Sequence, residues 1–341
     1  MRTAGAAVSL RPSDPERSAT RFASDVAFYL TQTPRQLPSR YLYDPLGSSL
    51  FDAICHLPWY AVTRAETRLL ARHGPEILSA IRPLARIVEL GSGSGDKLAV
   101  LLGSRPRTKP PLQVHLVDVS RAALETASRA IGVLPGLTVV AHQAAYEDGL
   151  AAVVAGRPGL SLDSERRAGP ELKMLAVFLG SNIGNFDPPA ADALLRRISR
   201  SLRPGDAFLL GADLIKPERD LQLAYDDPLG VTAAFNLNLL LRINRELGAD
   251  FDVTAFRHRA LWNAARSRVE MHLVSLRPQH VRVPAAGLEI DLRAGEIIWT
   301  ESSYKYRASE VLDMLHRCGF RRRAQWVDDE ARFALTLVDV V

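Results

Sequence analysis

Cysteine is nearly absent from this chain: Cys55 and Cys318 are the only two, far apart and outside any C-x-x-C pair. That excludes a disulfide framework and a redox dithiol, and it points to a reducing, cytoplasmic setting. The eight histidines show no pairing at metal-ligand spacing, so no metal site is expected. No apolar run reaches the ~18 residues of a membrane span, and the stretch 1–18 lacks the apolar core of a secretory signal, so no membrane association is expected. Lysine is scarce too, standing at five positions among 43 Lys and Arg residues. The net charge of +5 is carried by arginines spread along the whole chain, with no basic run interleaved with aromatics. Nucleic acid is therefore not an expected partner.

What the chain has is length and a glycine-rich punctuation mark. At 341 residues and 47% hydrophobic it can bury a large core and is long enough for two domains. The apolar run Ile87-Val88-Glu89-Leu90 breaks into Gly91-Ser92-Gly93-Ser94-Gly95-Asp96-Lys97, followed at once by a helical pattern. Such a strand-to-helix loop lets backbone approach a ligand closely. Its Gly-x-Gly-x-Gly spacing, with Glu89 two residues ahead, differs from the Gly-x-Gly-x-x-Gly that seats a pyrophosphate, which favours a nucleoside such as S-adenosylmethionine. Asp118 closes the next apolar run, where a carboxylate can accept both ribose hydroxyls.

The elements alternate: strands at 86–90, 112–118, 137–142, 174–180 and 207–213, and helices at 96–104, 120–131 and 189–202, with a surface excursion at 155–170. This predicts an α/β fold, a doubly wound, mostly parallel Rossmann-like sheet whose ligands bind beyond the carboxyl ends of the strands. Tyr146-Glu147 follows the third strand, where an aromatic face and an acceptor would suit an adenine. Asp187-Pro188-Pro189 resembles a base-gripping loop, but Ala190 replaces the aromatic, and the helix-cap reading is preferred. Thr63-Arg64-Ala65-Glu66 reads as a capping box for a helix to Ala80. Tyr43 and Tyr60 stand beside turns, where cleft and packing roles are equally open.

Beyond 213 the pattern changes to an apolar helix at 237–247 and alternating strands at 251–260, 268–276 and 296–306, too long for a crossover. A helix at 308–318 and a hairpin at 323–328 and 333–341 complete the sheet. The expected organisation is a loose tail at 1–18, an α+β substrate-binding domain from 19–64 and 216–305, and a cofactor-binding domain from 65–215 and 306–341.

Six ordered segments together resemble the histidine-specific Nα-methyltransferases of ergothioneine biosynthesis: Tyr41-Leu42-Tyr43-Asp44, Pro58-Trp59-Tyr60, Glu89 to Gly95, Gly180 to Asn185, Ala224-Tyr225-Asp226 with Gly230 to Asn236, and Thr300-Glu301-Ser302-Ser303. The resemblance implies that the chain trimethylates L-histidine to hercynine with S-adenosylmethionine. It implies that Gly91, Lys97 and Asp118 hold the cofactor, that Asn185 and Tyr225 hold the substrate carboxylate, and that Glu301 and Ser303 grip the imidazole. Met271 would lie beside that ring, and Tyr43 and Tyr60 would close the pocket. Positions 301 and 303 are two apart and share one face of a strand, and an imidazole N–H needs an acceptor such as Glu301. No single residue stands out as a catalytic base, so positioning is expected to supply the rate. The alternatives are an N-methyltransferase of another amino acid or aromatic amine, a nucleic-acid methyltransferase, and a non-catalytic nucleoside-binding module.

Overall fold

The computed structural model describes residues 15–105, 111–156 and 172–341. The expected tail as far as residue 14, and the expected excursion from residue 157 on, lie outside them. The described chain opens with helix α1 (Pro15–Leu30), the short strand β1 (Arg35–Gln36) and helices α2 (Pro45–His56) and α3 (Val62–Ala80). Helix α1 starts inside the stretch expected to be loose, because proline is tolerated in a first helical turn. The expected capping box does not form. Helix α3 follows Ala61 with no side-chain cap, and the Glu66 carboxylate turns inward to tertiary partners instead.

The alternation then proceeds much as the periodicity predicts, with one helix, α6, beyond those expected: β2 (Leu84–Leu90), α4 (Asp96–Gly103), β3 (Leu112–Asp118), α5 (Arg121–Gly132), β4 (Leu137–Gln143), α6 (Tyr146–Ala155), β5 (Lys173–Phe178), α7 (Pro188–Ser201) and β6 (Ala207–Asp213). Strand β5 ends two residues before the expected 180, since Gly180 and Ser181 both take left-handed backbone, φ 77° and 59°. Helix α7 is capped as expected, the Asp187 carboxylate accepting from the Ala190 N–H at 2.8 Å.

Next come α8 (Glu218–Tyr225), α9 (Val231–Leu247), β7 (Phe256–Asn263), β8 (Arg268–Ser275), β9 (Gln279–Val283), β10 (Leu288–Leu292) and β11 (Ile297–Tyr304). Helix α9 begins well before the expected 237, because the Asp227 carboxylate accepts from the N–H groups of Val231 and Thr232 and starts the helix there. Strand β7 begins at Phe256 rather than 251, because the Asp252 side chain holds a short 3₁₀ turn at Val253–Ala255. The β9–β10 hairpin was not legible in the sequence: only Val281, Val283, Ile290 and Leu292 alternate inward, in runs just five residues long. Helix α10 (Ala308–Arg317) and strands β12 (Phe320–Asp328) and β13 (Phe333–Val340) close the chain.

The central sheet has seven strands in the order β12-β13-β6-β5-β2-β3-β4. From β6 to β4 its pairs are parallel, while β13 runs antiparallel to both β6 and β12. Successive residues face opposite layers, Ile87 packing into one cluster and Val88 into the other, so the strands are apolar on both faces. A second sheet, in the order β1-β11-β8-β7, is mostly antiparallel. Chain order reverses between β2 and β5, and a crevice at their carboxyl ends is the natural ligand position.

Candidate active site

The loop after β2 occupies that crevice. Gly91, Gly93 and Gly95 all have positive φ, 79°, 50° and 81°. At Gly91 a Cβ would lie 2.9 Å from the Asn182 side-chain nitrogen and 3.2 Å from the Tyr146 ring, so the position favours glycine. Gly95 caps α4 and abuts Ala127, whereas nothing lies within 4 Å of a Cβ at Gly93. The Asp118 carboxylate accepts from the N–H groups of Gly93 at 3.1 Å and Ser120 at 2.8 Å, which steadies the loop. Burial raises its pKa against the pull of those donors. Glu89 is buried at the end of β2, one carboxylate oxygen has no partner, and burial pushes its pKa well up.

Tyr146 opens α6 and stacks edge-on against Phe178 at 5.1 Å, which keeps its ring beside Gly91. Glu147 is not brought to that ring's partners; it faces Arg197 at 3.7 Å. The Lys97 ammonium lies 2.8 Å from Glu66.

A cavity, open at its mouth, lies next to this loop, where the second sheet meets the Gly180–Asn185 turn. Tyr43, Tyr60, Asn185, Tyr225, Met271, Glu301 and Ser303 all line it, together with Phe51, Phe235 and Asn182. These residues come from five separate parts of the chain. A bulge in β11 brings the last pair in: the register shifts between Trp299 and Glu301, so that Glu301 pairs with Met271 and Ser303 with Val269. The Thr300 hydroxyl donates to the Met271 carbonyl at 3.0 Å, and the Trp299 indole N–H donates to the Glu301 carbonyl at 2.8 Å, which pins the bulge.

One wall is aromatic. Tyr43 contacts Phe51 and Phe235 edge-on at 5.5 Å each, and Tyr60 meets Tyr225 at 6.3 Å. Burial raises the pKa of all three phenols, so they stay neutral donors. Burial also lifts the Glu301 carboxyl to about 7, against the pull of the Lys305 ammonium.

Beneath the cavity floor runs a buried polar chain that sequence reasoning missed. Lys305 donates to the Tyr225 hydroxyl at 2.8 Å, to the Ser303 hydroxyl at 2.7 Å, and lies 3.0 Å from Asp213 at the end of β6. The other Asp213 oxygen takes Lys216 at 2.6 Å. On the cofactor side, both oxygens of buried Glu66 accept from the Gly180 N–H, at 3.0 and 2.8 Å, while Lys97 donates to one of them. Glu66 thus ties the cofactor helix to the turn that carries Asn185. One signal could have found these groups: in a chain that uses arginine almost everywhere, three of the five lysines make these pairs. An ammonium is a compact point charge with three rotatable donors, enough for the three oxygens around Lys305.

A family model described as "Histidine-specific methyltransferase, SAM-dependent" matches residues 22–340. The chain is 39% identical over 323 residues to a Histidine N-alpha-methyltransferase of Mycolicibacterium smegmatis, covering 94% of this chain and 96% of that protein. It is 27% identical to Ergothioneine biosynthesis protein 1 of Neurospora crassa, over 86% of this chain and 32% of that longer protein. An L-tryptophan methyltransferase of Psilocybe serbica is also 27% identical, over 88% of this chain and 87% of its own.

Proposed function

This chain belongs to the histidine-specific, S-adenosylmethionine-dependent methyltransferases, and from that premise we propose that it methylates the α-amino nitrogen of free L-histidine three times, giving hercynine for ergothioneine biosynthesis in the cytoplasm. The observation that carries this reading is the cavity's polarity: a carboxylate, Glu301, and two hydroxyls, Ser303 and Tyr225, converge beside the glycine loop. A free histidine offers a ring N–H for the first, and a ring nitrogen and a carboxylate for the others. The chain divides accordingly into a cofactor-binding unit, 65–215 with 306–341, and a substrate-binding unit, 19–64 with 216–305.

The residues present fit the cofactor. The left-handed glycine loop leaves room above Gly93, Asp118 keeps acceptor capacity at the end of β3, and Glu89 has a buried oxygen with no protein partner. Gly91, Gly93 and Asp118 would hold the ribose side, Tyr146 would face the base, and Glu89 would take a donor. When bound, S-adenosylmethionine supplies an electrophilic methyl on a sulfonium, open to in-line displacement by the amine.

The chain's own work is positioning. Asn185 and Tyr225 hold the carboxylate, Glu301 and Ser303 hold the ring, and together they leave the α-amino nitrogen pointing to the loop. Water takes the ammonium proton before each transfer. The faces of Tyr43 and Tyr60 accommodate the growing methylated cation. Mass spectrometry of histidine incubated with the protein and S-adenosylmethionine should show additions of one, two and then three methyls. Methylation of L-tryptophan or L-tyrosine in preference to histidine would overturn the substrate.

Two further results are expected. Gly91→Ala forces a side chain into left-handed backbone and against Asn182, which costs about 1–2 kcal/mol. Cofactor affinity, read by calorimetric titration, should fall about tenfold, and unchanged affinity would contradict the loop assignment. Ionised Glu301 accepts a ring N–H more strongly than the neutral acid does. Because burial raises its pKa to about 7, histidine affinity should climb between about pH 6 and 8 and level off above. In Glu301→Gln the part of that climb due to the enzyme should vanish, leaving only the ring's own titration near pH 6.5; an unchanged profile would remove Glu301 from ring recognition.

A further inference from the structure

Lys305 is a fully buried ammonium with all three protons placed, on Asp213 Oδ2, the Tyr225 hydroxyl and the Ser303 oxygen. Burial alone would lower its pKa, but Tyr225 and Asp213 hold it above the ordinary value, so it stays charged. An ammonium has no lone pair. Both hydroxyl oxygens must therefore accept from Lys305, and each keeps a single proton. Tyr225 and Ser303 lie 2.8 Å apart, and one of those protons can bridge them while the cavity holds no ligand. The other has no direction left but the cavity.

We propose that Lys305 is a positioning residue that sets the hydrogen-bond polarity of the substrate pocket, turning Tyr225 and Ser303 into donors so that a ligand must present acceptors there. The inference rests on the reading of this cavity as the histidine site. Across the cavity Glu301 offers only an acceptor when ionised. The pocket is then matched to a ring with one N–H and one bare nitrogen, which is the neutral imidazole, and mismatched to a ring with an N–H alone or with no nitrogen. A donor left facing a ring that cannot accept is an unpaired buried group, and sites built this way discriminate strongly. Lys305 is therefore a determinant of side-chain choice although it lies behind the residues that touch the ligand.

The arrangement also makes the test clean. Removing Lys305 leaves Asp213 paired with Lys216 at 2.6 Å, so no carboxylate is stranded in the core. Binding of L-histidine and of β-(2-thienyl)-L-alanine, whose ring has no nitrogen, would be measured by calorimetry with S-adenosylhomocysteine present, for the natural protein and for Lys305→Met. The natural protein is expected to prefer histidine by at least about a hundredfold. In K305M histidine should weaken about ten- to a hundredfold, the thienyl compound at least threefold less than that, since it loses only the Tyr225 contact to its carboxylate, and S-adenosylhomocysteine not at all. Histidine affinity within threefold of natural, or equal weakening of both amino acids, would overturn the inference. If K305M does not fold, the natural protein decides: 3-(pyrrol-2-yl)-L-alanine keeps a ring N–H but has no ring acceptor, and binding as tight as that of histidine would overturn the inference. Failure of the natural protein to bind histidine at all would instead overturn the substrate reading, and this inference with it.

Discussion

Glu301→Ala is expected to raise the KM for histidine about ten- to a hundredfold while changing kcat little and cofactor affinity not at all. The size follows from what is removed. Glu301 lines the cavity from the bulge in β11, opposite Met271, and a hydrogen bond to a charged acceptor contributes ~1.5–3 kcal/mol. The split follows from where it acts: the ring is remote from the reacting nitrogen, so the lost interaction is made equally in ground and transition states and appears in KM. Cofactor affinity is insulated because the glycine loop hangs from β2, in the other sheet, and is steadied by Asp118. Steady-state kinetics with histidine varied, beside a calorimetric titration of the cofactor, would test both halves. Unaltered histidine kinetics would sink the imidazole assignment, and an equal loss of cofactor affinity would mean the variant had damaged the fold rather than the pocket.

The second large effect is on stability, at a residue outside the pocket. Glu66→Ala should destabilise the protein by about 3–5 kcal/mol, because it leaves the Lys97 ammonium without its partner and the Gly180 N–H without an acceptor. Glu66, on helix α3, is wholly buried and reaches helix α4 and the turn after β5, so the loss falls where the two ligand sites join. Glu66→Gln, which keeps an acceptor for Gly180, should lose less. Adding Lys97→Met to Glu66→Ala should restore part of the loss, since it removes the stranded charge, and the double-mutant cycle measures how much. Urea unfolding is the measurement. A Glu66→Ala protein within about 1 kcal/mol of natural stability would show that the pair is not a structural tie.

The contrast between these two residues shows where sequence reasoning succeeds. Glu301 was singled out by the resemblance, through the short segment Thr300-Glu301-Ser302-Ser303, and the fold places it on the cavity wall. Glu66 was legible only as half of a capping box, a local motif that any Thr-x-x-Glu ahead of a helix suggests. Its real partners, Lys97 and the backbone of Gly180, are far along the chain, and pairing with them outweighed the local cap. Lys97 is assigned to the cofactor by the resemblance, and its pairing with Glu66 came into view only in the fold. The early start of α9 is a milder case. The apolar run marks where the helix is buried, but Asp227 decides where it begins.

By itself the sequence determined the alternation of strands and helices, the doubly wound sheet, the glycine loop at its carboxyl edge and the Asp187 cap. All of these rest on periodicity, backbone freedom and hydrogen bonds that close within a few residues. Only the tertiary structure decided that a bulge turns Glu301 and Ser303 into one cavity with Tyr43, Tyr60 and Asn185, that Glu66 joins the two sites, and that Lys305 governs the direction of two hydroxyl protons. Those facts depend on which distant carboxylate each buried ammonium finds. Such a pairing is fixed by packing and by the cost of an unpaired buried charge, and neither leaves a periodic trace along the chain.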